Sequence, residues 1–314
     1  QHGGCKGVNN RPCVVSEYGD WEYYACNDGL DQLSFSNLQQ PDLNSRQGRG
    51  DGEIRMIQQA LNFQEAHNDN LKTKAFADGL WVMYDYNRGY AADLEKSGCM
   101  DIYRLPKFST FFFRSQRDPV IIRNEIESGP MVFIANYHTP ESPETILVFS
   151  NAEEVALFQN GKLVGRQRPD SDNRSSHLPH PPFSFKLTGY EPGTLEAVAY
   201  INNREAARHK RTTPGNPVRL ILNADFKGRP IKPGTNDCVF IYASIVDQNG
   251  TVVPSSSIPV TFAVKGPARL IGDNPAPAEA GISPVLLQAG DKAGRIHIYA
   301  TAPDLEPAGL VVKI

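Results

Sequence analysis

Apolar positions change their rhythm twice along the 314 residues. Arg11-Pro-Cys-Val-Val-Ser-Glu17 is a short apolar run closing on polar residues, the pattern of a buried parallel strand. From Gly52 to Ala75 the spacing predicts a helix, with Ile54, Ile57, Ala60 and Leu61 on one face. Asp51 and Glu53 sit at the end where the helix dipole favours negative charge. Phe76 to Tyr84 is a second apolar strand, ending in Asp85-Tyr86-Asn87-Arg88-Gly89. Strand, helical crossover and strand together make one unit of a parallel sheet. Gln40 to Gly52 reads as a loop of the kind that decorates the C-terminal face of a barrel, and Lys107 to Ser115 as a further helix.

From about Val120 helical periodicity gives way to short alternating runs. Met131–Ala135, Thr145–Phe149, Val155–Gln159, Lys162–Gly165, Phe183–Leu187 and Thr194–Tyr200 read as strands, and Asn160-Gly161 is a two-residue hairpin signal. Pro214-Gly215-Asn216-Pro217 marks a linker. Beyond it, Val218–Leu222, Cys238–Val246, Val260–Val264, Ile296–Ala300 and Leu310–Ile314 repeat the same grammar, as in an immunoglobulin-like sandwich. The predicted fold class is α/β followed by all-β: a partial (β/α)8 barrel over 1–118, a β-sandwich over 119–213 and an immunoglobulin-like sandwich over 214–314.

Net charge is −3, so no basic excess points to nucleic acid or an anionic membrane as partner; a neutral sugar polymer fits. No apolar run reaches 18 residues and no signal peptide is present. The chain opens on Gln1 without methionine and reads as cut from something longer. Cys5, Cys13, Cys26, Cys99 and Cys238 have no metal-ligand spacing and are expected to be reduced and mostly buried. The seven histidines show no HxxxH or HExxH spacing; no metal and no cofactor is expected.

Chemistry concentrates at two strand ends. Glu17 closes the first strand, at the end where barrel active sites are built, and Tyr18 and Trp21 beside it offer flat faces for sugar rings. A carboxylate on a rigid strand suits attack on an anomeric carbon, although a lone strand-end glutamate is more often simply solvated. Trp81, in the second strand, is either a core residue or a sugar-subsite wall. Asp85, Asn87 and Arg88 just past that strand are candidates for hydrogen bonds to sugar hydroxyls.

Ser16-Glu17-Tyr18-Gly19 resembles the nucleophile motif of glycoside hydrolase family 2. Gly79-Leu80-Trp81 is similar to that family's eighth barrel strand, and Arg104-Leu-Pro106-Lys107-Phe108 to the segment that closes its barrel. Phe149–Gly161 resembles the strand-and-hairpin pattern of the sandwich that follows its barrel, and Gly266–Asn274 resembles its final immunoglobulin-like domain. The resemblance implies that Glu17 is the nucleophile of a retaining exo-β-glycosidase, most simply a β-galactosidase, and that Trp81 walls the terminal sugar's subsite. It also implies a galactose-containing oligo- or polysaccharide substrate and a periplasmic or secreted location.

A retaining glycosidase needs a second carboxyl group as general acid/base. The family's Asn-Glu pair is not found before Glu17, and Asn124-Glu125 follows the predicted barrel region. The acid/base is therefore expected in an N-terminal part of the same enzyme, with residues 1–118 poorly ordered and inactive without it. A carbohydrate-binding or adhesion module without catalysis is the alternative; such a module has no reason to carry Glu17, Trp81 and Pro106-Lys107 in this order.

Overall fold

The computed structural model describes residues 11–19, 47–87, 89 and 94–314. The chain forms two compact units, one ending at Thr212 and the other spanning Thr213–Ile314.

In the first unit β1 (Cys13–Tyr18) and β2 (Ala75–Leu80) pair in parallel, and α1 (Glu53–Leu71) connects to β2 and packs on one face of the pair. Val15 and Tyr18 turn to the helix and are buried against Ala66. On the other face Val14 is 51% and Phe76 70% exposed, so the strand expected to be buried on both faces is covered on one.

The helix buries most of the predicted face: Ala60 is fully buried, and Ile57 and Leu61 pack against the core. Ile54 is exposed, and the buried positions are Met56, Ala60, Phe63 and Ala66, flanked by Gln58, Gln59, Asn62, Gln64 and Asn68. Burial of so many amides is tolerable only with partners. Gln59 donates to the carbonyls of Lys96 and Gly98 and accepts from Ser109 Oγ, while Asn68 bridges the Asn173 carbonyl and the His177 amide. Amphipathic periodicity tracks apolar side chains alone, and here specific hydrogen bonds widen the face that turns inward.

A two-residue pair, β3 (Tyr86–Asn87) and β4 (Leu94–Glu95), precedes α2 (Phe108–Ser115). Then follow β5 (Val132–Ile134), β6 (Thr145–Ser150), β7 (Glu154–Gln159), β8 (Lys162–Gln167), β9 (Phe183–Lys186), β10 (Thr194–Ile201) and β11 (Arg204–Thr212). They form two antiparallel sheets, β5-β6-β9 and β11-β10-β7-β8, sharing a core of Ile134, Val148, Phe183, Leu157, Leu195 and Ala197. The β5-β6-β9 sheet is buried on both faces. Its other side sets Phe133, Leu147 and Phe149 against Met56, Phe63, Phe108 and Phe112 of the two helices. Hence β5 and β6 are continuous apolar runs, whereas β9, at the sheet edge, alternates. In the β7–β8 hairpin Asn160 and Gly161 have φ of 51° and 78°, the positive pair that a tight two-residue turn requires.

The second unit contains β12 (Arg219–Asp225), β13 (Cys238–Val246), β14 (Thr261–Lys265), β15 (Ala268–Ile271), β16 (Ile282–Ala289), β17 (Arg295–Thr301) and β18 (Ala308–Lys313). Sheets β12-β13-β16-β15 and β14-β17-β18 enclose Leu220, Ile241, Leu287, Phe262, Ile298 and Val312. Among the sandwich strands, β11, β15 and β16 are absent from the expected runs. β11 carries four arginines and lysines in nine residues, and β16 carries Pro284, which obscures a central strand.

The cysteine expectation needs correcting. Cys13 is disulfide-bonded and Cys238 is exposed; of the two free cysteines among the described residues Cys99 alone is buried, and Cys5 and Cys26 lie outside the described residues. No helix among the described residues is long and apolar enough to cross a membrane.

Candidate active site

Glu17 and Trp81 stand at the same end of two adjacent parallel strands. Tyr18 pairs with Leu80, and the Trp81 amide donates to the Tyr18 carbonyl at 2.9 Å, carrying the ladder one step past β2. Gly79 makes the approach possible, because a Cβ there would lie 2.5 Å from the Ser16 carbonyl oxygen. Both Glu17 and Trp81 are exposed. The indole Nε1 donates to Tyr86 Oη at 3.2 Å, and the two rings meet edge to face at 5.8 Å. This contact orients Trp81 without covering it.

Tyr18 is not beside Glu17 on that surface. It is 2% exposed and points to the helix side, stacked on His67 at 6.0 Å and edge-on to Phe113. Side chains alternate faces along a strand, so consecutive residues do not serve one site. An irregularity in pairing between Val15 and Tyr18 places both Ser16 and Glu17 on the exposed side. Burial, then the Asp78 charge, pushes the Tyr18 phenol far above its ordinary range. Asp78 in turn takes a 2.6 Å contact from His67 Nδ1, and Asn62 Nδ2 donates to the Gly19 carbonyl. These contacts hold the end of β1 against α1.

Asp85 is also interior. Its Oδ1 accepts from Lys107 Nζ at 2.7 Å and from the Gly98 amide at 2.9 Å, and Lys107 donates further to the Lys96 carbonyl. Burial outweighs the lysine and pushes the Asp85 carboxyl up to about 6; burial likewise lowers the Lys107 ammonium. The expected sugar contact of Asp85 is replaced by a pairing that fixes the chain after Trp81. Cys99 N to Val82 O and Met100 N to Met83 O tie the same segment down. Asn87 is exposed and its Oδ1 accepts from the Gly89 amide at 2.8 Å, closing a turn. Trp21 and Arg88 lie outside the described residues.

Two families match by sequence: one described as a domain of unknown function (DUF4982), over residues 142–207, and "Glycoside hydrolase family 2 C-terminal domain 5", over residues 222–311. A β-galactosidase of Thermoanaerobacter pseudethanolicus is 38% identical over 70% of this chain and 31% of its own length. The chain belongs to glycoside hydrolase family 2 and matches the C-terminal portion of its members. Other family 2 relatives include β-galactosidase BoGH2A of Bacteroides ovatus, 25% identical over 79% of this chain and 30% of its own. A β-glucuronidase of Formosa agariphila is 25% identical over 74% and 24% respectively. This chain thus spans about a third or less of the relatives' length. In fold it is similar to a family 2 β-glucuronidase, with a TM-score of 0.72 at 21% identity over 99% of this chain and 32% of that one. It is also similar to a β-glycosidase from Bacteroides vulgatus, with a TM-score of 0.67 at 21% identity over 81% of this chain and 32% of that one.

Within this family 2 chain Lys107 is a motif residue, and its partner Asp85 stands outside the motif. A buried lysine must find a counter-charge, and the acidic residue on the preceding strand end, Asp85, was the available signal. The His67–Asp78 pair carried no motif at all.

Proposed function

We propose that this chain carries the nucleophile of a retaining exo-β-glycosidase, with Glu17 in that role and Trp81 walling the subsite of the terminal sugar. One observation carries the reading: an exposed carboxylate closes a parallel strand, and an exposed tryptophan continues the adjoining strand at the same end, hydrogen-bonded to it through the backbone. The strands are the last of a (β/α)8 barrel whose remaining strands cover the apolar face of Val14 and Phe76.

In the reaction a Glu17 oxygen attacks the anomeric carbon while the glycosidic bond breaks, and the leaving oxygen takes a proton from a carboxylic acid on the upstream polypeptide. Water then attacks the glycosyl-enzyme, gives its proton to the same carboxylate and frees Glu17. Galactose is the proposed sugar, supported by the 38% identity to a β-galactosidase. A disulfide at Cys13 fits an oxidising, extracytoplasmic compartment.

The test is intact mass after incubation with 2-deoxy-2-fluoro galactosyl fluoride, and with its glucuronyl counterpart, for the chain alone and joined to its upstream region. A galactosyl adduct mapped to Glu17 in the joined protein alone is the expected result. A glucuronyl adduct would reassign the sugar. An adduct on the chain alone would remove the need for an upstream acid/base. No adduct on a folded, joined protein would end the glycosidase reading.

A further inference from the structure

A groove of about 820 Å³ opens at one end of the first sandwich, far along the chain from Glu17 and Trp81. Its volume falls within the roughly 300–1,000 Å³ typical of small-molecule sites. We propose that this groove is an accessory site for a short neutral oligosaccharide, with the Tyr200 ring as platform and Arg168 and His180 as hydrogen-bonding groups.

The lining has the two ingredients that sugar rings need. Tyr200 and three prolines, Pro119, Pro169 and Pro179, line it and supply its apolar surface. The Arg166 guanidinium stacks on one face of the Tyr200 ring at 4.1 Å and holds it in place, so a sugar has the opposite face. Arg166 is itself fixed by Glu154 at 2.7 Å and by Asn203 Oδ1 at 3.4 Å.

Directional polar groups come next. Arg168 is 85% exposed and only approaches Glu154, at 3.8 Å, so its donors are largely uncommitted. The main chain of His180 is clamped by Gln116, which donates to its carbonyl and accepts from its amide. Its ring has no hydrogen-bond partner among the described residues. The hairpin edge is rigid as well: Asn202 and Asn203 both have positive φ, and the Asn202 amide donates to Glu153 Oε2 at 2.9 Å.

Charge then selects the ligand class. Glu154 is spanned by Arg166 and Arg168, and Glu153 is engaged by the Asn202 amide, so no single sign dominates the walls. An acidic polymer would need an excess of cations, which is absent here. A neutral saccharide, with C–H faces for Tyr200 and proline and hydroxyls for Arg168 and His180, matches what is present.

The test is calorimetric titration of the chain with β-1,4-galactotetraose, cellotetraose and the acidic tetragalacturonate, repeated on Tyr200→Ala, Arg168→Ala and Trp81→Ala. Hydrolysis is not needed, so the result stands apart from the glycosidase reading. Saturable binding of a neutral tetraose, weakened at least tenfold by Tyr200→Ala and several-fold by Arg168→Ala, is the expected result. Arg168 is exposed, and its removal leaves packing intact, so the proposal does not hang on one variant that fails to fold. Binding abolished by Trp81→Ala and untouched by the groove variants would put the sugar at Glu17 and overturn the proposal. No neutral binding, or tighter binding of the uronate, would overturn it too.

Discussion

Lys107 Nζ lies 2.7 Å from Asp85 Oδ1, with neither side chain more than 4% exposed. The pair joins the start of α2 to the chain leaving Trp81, so the placement of the candidate subsite wall depends on a sealed ion pair. Lys107→Met removes the counter-charge and leaves a buried carboxylate, at a cost of about 3–5 kcal/mol. Adding Asp85→Asn to that variant recovers part of the loss, since replacing both charges is cheaper than orphaning one. Urea unfolding of the two single variants and the double variant measures the coupling. A wild-type midpoint for Lys107→Met would refute the role given to the pair.

Gly19 follows Glu17 and Tyr18 with φ of +89°, and a Cβ on it would lie 2.1 Å from the Phe63 ring. Gly19→Ala is strained in backbone and in packing together, for a combined loss of about 2–5 kcal/mol. The Asn62–Gly19 hydrogen bond breaks with it. Thermal unfolding reads the loss. In the joined enzyme the same change lowers 2-fluoro-glycoside labelling of Glu17, because the end of β1 shifts.

What could be read from the chain follows from what periodicity encodes. The strands of both sandwiches with branched apolar residues at every second position stand close to where the pattern puts them, and Asn160-Gly161 turns as its chemistry dictates. β11 escaped because its packed side is built from Ala207, His209 and Arg211, the last two hydrogen-bonded to Ile134, and these two look polar on paper. Glu17 and Trp81 were legible as strand ends. Tyr18 and Asp85 were misassigned because adjacency in sequence is not adjacency on a surface. Tyr18 faces α1, and Asp85 faces a lysine 22 residues away.

Glu53 couples α1 to the first sandwich. Its Oε1 accepts the Tyr137 amide at 2.6 Å and its Oε2 the Ser142 hydroxyl at 2.7 Å. Burial raises this carboxyl above its ordinary range, and both hydrogen bonds act against the rise. Glu53→Ala strands the Tyr137 amide, costing about 1–3 kcal/mol. Hydrogen exchange resolves the effect by location: the Tyr137 amide is expected to exchange faster, with no change in β12 to β18. Uniform acceleration across both units would contradict a local coupling.

His209 gives the first unit an acid limit. Its Nδ1 accepts the Ile134 amide at 3.1 Å, which requires that nitrogen to be unprotonated, and its ring packs 4.8 Å from Phe133. Burial, and secondarily the neighbouring Arg211, lowers its pKa to about 4. A folded value below the unfolded one, near 6.5, means the folded state binds this proton less well. The contribution is therefore complete above about pH 6.5, shrinks as pH falls, and is gone below about 4. Its ceiling, from the size of the shift, is roughly 3 kcal/mol. Trp81 belongs to the first unit, and the second unit contains no tryptophan, so indole fluorescence does not report on Thr213–Ile314. Urea midpoints between pH 7.5 and 4.5 should fall steeply for the parent chain. His209→Asn, which keeps an acceptor and does not titrate, should flatten that slope. Parallel slopes for the two proteins would assign the acid loss to other groups.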